Sequence, residues 1–184
     1  MGGTEWAMAL GLGTVLLGSV AAVLWALWRI TVEDLAMRIV ARKNLLTLFL
    51  ARVLLAFWAW VAMLWCDGSA WDECSAGALA LAGRLDFESL AESSLVALVV
   101  VAILVLLAHV VTRIKGVTAL GGGDVWLYAV LMLYISPVGV CVLLLASSLM
   151  GAFVALWYAV RHNEASFPFA PSICLAFLLA LFVA

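Results

Sequence analysis

The chain has 184 residues, of which 68% are hydrophobic and only 11% charged, with a formal net charge of -2. That is too little polar surface to cover a water-soluble globule, so composition points to an integral membrane protein, read as a single domain over residues 1–184. The few basic residues hug the apolar segments and form no groove, which gives a nucleic-acid-binding role no support.

The first apolar run, residues 6–28, is long enough to cross a hydrocarbon layer of about 30 Å, which takes about 20 helical residues. Its flank, Met1 to Glu5, lacks the basic region of a secretory signal, and Arg29 follows the run instead. The run therefore reads as a retained helix that starts outside. A second span is expected at 45–65 and a third at 94–111. Between them lies an acidic stretch with Asp67, Asp72, Glu73, Asp86, Glu88 and Glu92 against a single Arg84, placed on the outer side. Residues 85–95 mix charged and apolar positions at helical spacing, which fits either an amphipathic surface helix or an early start of the third span.

Residues 125–160 are apolar but interrupted by Ser136-Pro137, and proline cannot continue a helical hydrogen-bond ladder. The pattern predicts a short fourth helix, a tight turn and a fifth span. A last span begins near Pro171. The expected fold is thus all-α: a polytopic membrane protein with six transmembrane helices, the fourth of them short.

With both termini outside, this topology gathers Arg29, Arg38, Arg42, Lys43, Arg113, Lys115 and Arg161 on one side, as the positive-inside rule requires. The expected location is the inner (cytoplasmic) membrane, multi-pass, with that side facing the cytoplasm. Trp6, Trp28, Trp65 and Trp71 fall near predicted span ends, as interfacial anchors do.

Asp124 follows Gly121-Gly122-Gly123 and opens the short fourth helix. An acid at the edge of the hydrocarbon is costly, so it is a functional-site hypothesis by default. A partner must lie at the same inner level, which Asp34 does and Asp67, Asp72 and Asp86 do not. Glu33 is about 100° from Asp34 around a helix, so only one of the two is expected to point into the bundle, and Asp34 is chosen. Two carboxyls brought together share a proton, one activating water and the other polarising a carbonyl, which is the chemistry of aspartic peptidases. The glycines permit positive φ and close approach of another backbone. Arg52, about two turns into the second span, can snorkel to the inner interface or pair with an acid of the site. Arg38, Arg42 and Lys43 form a basic cluster suited to anionic lipid headgroups.

Gly121-Gly122-Gly123-Asp124-Val125 resembles the GxGD motif of the type IV prepilin peptidases, and Asp34-Leu35 with Arg38-Ile39 is similar to that family's first-aspartate motif, D-L-x-x-R-x-I. Phe167-Pro168-Phe169-Ala170-Pro171 resembles the hydrophobic-P-F-G-P sequence opening the family's final helix, with Ala170 in place of glycine. The resemblance implies a membrane aspartyl endopeptidase that cuts class III signal peptides of prepilin, pseudopilin or archaellin-like precursors at the cytoplasmic face. It implies Asp34 and Asp124 as the catalytic pair; Gly121, Gly123, Arg38 and Arg52 are expected as loop or substrate-positioning residues, and no cofactor is expected. The chain departs from the family's frequent pattern at Val40-Ala41, where a proline often stands, and at Trp126, where a lysine often stands.

Bifunctional members carry paired C-x-x-C motifs in a zinc-binding segment associated with N-methylation. Cys66, Cys74, Cys141 and Cys174 contain no such pair, so peptidase activity without methyltransferase activity is expected. Cys66 and Cys74 bracket the outer acidic segment, either as a disulfide or as two free thiols. His109 and His162 show no converging ligand spacing, so no metal site is expected. Two other functions fit less well: a catalytically silent membrane subunit of a pilus or secretion assembly, and a small transporter. A transporter would carry its acids near the midplane and show paired repeats.

Overall fold

The computed structural model describes residues 3–65, 87–116, 120–162 and 167–183. The Cys66 and Cys74 pair, the acidic stretch up to Asp86, Trp71 and Glu164 lie outside the described residues. In chain order the elements are α1 (Gly3–Met37), α2 (Arg42–Trp65), α3 (Phe87–Lys115), α4 (Gly122–Leu131), a 3-10 turn (Met132–Tyr134), α5 (Pro137–His162) and α6 (Ala170–Val183). The fold is all-α and polytopic.

Four of the helices hold stretches long and apolar enough to cross a membrane: Gly13–Met37, Arg42–Val61, Glu88–Ile114 and Pro137–Arg161. The remaining apolar stretches, Gly122–Tyr134 and Ala170–Phe182, are shorter. At 1.5 Å per residue the ten residues of α4 rise about 15 Å, half of a hydrocarbon core of about 30 Å. Leu17, Leu98, Leu106, Leu149 and Phe153 face outward, where acyl chains rather than water receive them.

The two short helices occupy the middle. Helix α6 buries Ala170, Ile173, Ala176, Phe177 and Ala180, and Ser172 and Cys174 besides, so it is enclosed most of the way round. It packs against α5, α1 and α4, and α4 in turn against α2, α3 and α6. Val23, Ala26, Leu27 and Ile30 of α1 meet this centre, as do Leu45, Leu48 and Ala51 of α2.

Two boundaries differ from the expectation. Helix α1 does not stop near residue 28 but runs on to Met37, so Asp34 lies in its last turns rather than beyond it. No glycine or proline interrupts residues 29–37, and the inward side chains there, Ile30, Glu33 and Asp34, all find buried surroundings. The helix ends instead at Arg38, which takes a left-handed conformation with φ of 54° and donates its N–H to the Asp34 carbonyl at 2.9 Å. This closes the helix in the manner usually left to glycine. The second difference is the glycine run: Gly122 and Gly123 are already helical, and Gly121 is an extended N-cap with φ of -69°. Positive φ is not used there.

The interruption at Ser136-Pro137 falls where expected. Ser136 Oγ accepts the Gly139 N–H at 3.3 Å, and Pro137 opens α5, where its missing N–H would have had no helical partner.

Candidate functional site

Gly123, in the first turn of α4, has no side chain, and the space it leaves is taken by a neighbour. A Cβ there would lie 3.0 Å from Cβ of Val40 and 3.7 Å from its backbone nitrogen. The first turn of α4 is thus pressed against the link between α1 and α2, two residues after Arg38. The neighbour that approaches Gly123 most closely is the side chain of this chain's own Val40 rather than another backbone.

Asp124 is the third helical residue after the Gly121 cap. Its carboxylate turns back to accept the Gly121 N–H, and Oδ2 would stand 3.0 Å from a Cβ at 121. An acid in this position both satisfies an otherwise unbonded donor and opposes the positive end of the helix dipole. Gly121 therefore serves Asp124 by leaving room for it.

Asp34 reaches the other central helix. Its Oδ2 accepts the Ala170 N–H at 3.0 Å, at the first residue of α6. Only 5% of the Asp34 surface is exposed. Both acids thus rest on helix N-termini, which favour negative charge, and the Asp124 carboxyl feels the charge of Asp34. The Cys174 thiol, on the second turn of α6, bonds the Thr31 side chain and feels both carboxyls. Arg38 is exposed, and its charge acts on Asp34.

Glu33 corrects the expectation that only one of the neighbouring acids turns inward. Both are buried, in different directions. Glu33 faces α2, where its carboxylate accepts from Asn44 Nδ2 and from Arg29, each at 2.8 Å, with the Lys43 ammonium 3.7 Å away. It clasps α1 to α2, and two of the cations, Arg29 and Lys43, lean on it.

Arg52 stands at the opposite end of α4 from Asp124. Its Nε donates to the Leu133 carbonyl at 2.7 Å, and its Nη2 donates to Ser89 Oγ at 3.1 Å. With 1% exposure it is the largest fully buried side chain among the described residues. The Tyr134 hydroxyl closes the same break by donating to the Leu48 carbonyl. Arg52 therefore holds the carbonyl end of a short helix that stops within the helix bundle.

Sequence reasoning gave no role to the aromatic side chains beside the acids. Tyr128, one turn after Asp124, shares a hydrogen bond of 2.5 Å with the Ser147 hydroxyl of α5. The Phe169 ring lies against it with centroids 6.4 Å apart. The i, i+4 spacing of Asp124 and Tyr128 was the available signal. Among the described residues, no three of His, Cys, Asp and Glu converge as a metal would need. Comparison with models of protein families, with curated proteins and with solved structures finds no significant match for the chain.

Proposed function

We propose that the chain is a membrane aspartyl endopeptidase that removes class III signal peptides from prepilin, pseudopilin or archaellin-like precursors at the cytoplasmic face of the inner membrane. The observation that carries this reading is the relation of Asp34 and Asp124. They are far apart in sequence, each sits at a helix N-terminus near the inner end of the bundle, and the charge of one is felt by the other. In this reaction one carboxylate draws a proton from water as it attacks the scissile carbonyl. The other, protonated, donates to the carbonyl oxygen; as the C–N bond breaks, the first passes the proton it took from water to the leaving nitrogen and the second takes one back from the tetrahedral intermediate's hydroxyl. The precursor's basic leader approaches from the cytoplasm while its apolar helix stays in the bilayer.

The test is processing of a co-expressed prepilin, read as a mobility shift, by the parent and by Asp34→Asn and Asp124→Asn. Loss of cleavage by about 10²-fold or more in each variant, with membrane insertion retained, is expected of a general acid and base. Equal processing by the variants removes the reading.

A second reading, a catalytically silent subunit of a pilus or secretion assembly, is favoured by one observation: each acid also has a structural partner in a backbone N–H. Asparagine keeps an acceptor at both places, so a silent subunit tolerates the same substitutions and still assembles.

A further inference from the structure

Gly151 lies on α5 one turn beyond Ser147. A Cβ there would fall 2.2 Å from Cε2 and 2.8 Å from Cδ2 of Phe169. Carbon atoms of different side chains rest at about 3.5–4.0 Å, so the Phe169 ring occupies the space that any other residue at 151 would fill. Two other rings stand beside it. Tyr128 flanks it at 6.4 Å with planes 53° apart, and Phe167 stands edge-on at 6.0 Å and 85°. Tyr128 is itself anchored by Ser147 at 2.5 Å.

The Phe169 Cα begins the planar peptide unit that carries the Ala170 N–H, the donor that meets Asp34 Oδ2 at 3.0 Å. A shift of about 1 Å at the ring, passed into that rigid unit, moves donor from acceptor past the range of a useful hydrogen bond.

We propose that Gly151 is a positioning residue for Asp34. The missing side chain at 151 seats Phe169 against α5, and the seated Phe169 holds the Ala170 N–H on the carboxylate. Its bearing on a reaction rate rests on the peptidase reading; its bearing on Asp34 does not. Local helix chemistry predicts the opposite result, since alanine is a better helix former than glycine.

The test uses the full chain in lipid nanodiscs and a hydrophobic carbodiimide, which attacks a protonated carboxyl that lacks its hydrogen-bond donor, with the adduct at Asp34 quantified by peptide mass spectrometry. Asp34 is expected to react slowly in the parent and about tenfold faster in Gly151→Ala, the factor reflecting one lost charge-assisted hydrogen bond. Ala170→Pro, which deletes the donor at a helix position that accepts proline, is expected to match Gly151→Ala. The double variant Gly151→Ala/Phe169→Leu, which frees the space, is expected to return to the parental rate. The proposal is overturned by equal labelling of parent and Gly151→Ala, or by a double variant that stays fast. Should Gly151→Ala fail to insert, the double variant decides: parental insertion and labelling support the proposal, and failure of either overturns it. Prepilin processing by the same proteins separates the two claims, because a parent that cuts no precursor removes the peptidase reading while the labelling still settles the role of Gly151.

Discussion

The backbone N–H of Ala170 donates to the Asp34 carboxylate at 3.0 Å, joining the end of the first helix to the start of the last across 136 residues of sequence. The same oxygen that is proposed for chemistry therefore also caps a helix. The two roles separate by substitution. Asp34→Asn keeps an acceptor and is expected to hold near-parental thermal stability while losing cleavage. Asp34→Ala leaves the donor unbonded and is expected to cost about 1–2 kcal/mol, read as a lower melting temperature in detergent. Equal stability of the two variants would deny Asp34 its capping role.

On the proposed peptidase reading, Arg38 is expected to set stability against function. Its left-handed backbone costs about 1–2 kcal/mol relative to glycine, yet its charge acts on Asp34. Arg38→Gly is expected to raise thermal stability by about 1 kcal/mol and to slow precursor processing. A variant that gains neither stability nor a kinetic defect contradicts both assignments.

Glu33 is expected to matter for stability alone. Glu33→Gln can still accept from Asn44 but loses its attraction for Arg29 and Lys43, and should cost about 1 kcal/mol. Glu33→Ala leaves Asn44 buried without that acceptor and should cost about 2–3 kcal/mol. Chemical denaturation of the two variants in mixed micelles gives the order, and a reversed order rules out the clasp.

Arg52→Met sets the loss of bonds to Leu133 and Ser89 against removal of a charge that costs about 2.5–3.5 kcal/mol at the centre of an isolated membrane helix. In the folded protein those bonds already offset much of that cost. The variant is therefore expected to be about 1 kcal/mol less stable once folded, while an isolated α2 segment carrying it inserts more readily than the parent segment. Measuring insertion of the segment and melting of the whole protein checks both signs.

How much of this was legible beforehand varies by residue. The break at Ser136-Pro137 was plain, because proline lacks the donor that a continuing helix needs. The end of α1 was not, because the chain closes it with Arg38 in a conformation that sequence rules reserve for glycine. Asp34 and Asp124 were singled out by where charges are costly, a property of the linear sequence and the bilayer. The partners of those acids were out of reach: the donors at Ala170 and Gly121 are backbone groups, which every residue but proline carries. Arg52 was recognised as unusual but expected to serve the acids or the interface. Only the packed structure brings it to a carbonyl released by the end of α4. The crowding of Phe169 over Gly151 depends on how two helices cross, which no periodicity encodes.

That bond between Arg52 and the Leu133 carbonyl bears on biogenesis. Helix α2 carries a guanidinium within an apolar segment, a charge that is costly while it lacks its acceptors. Helix α4, with ten residues, is too short to partition as a spanning segment in its own right and leaves carbonyls bare where it stops. Each supplies what the other lacks. The two are therefore expected to settle in the bilayer together, once α4 has been translated.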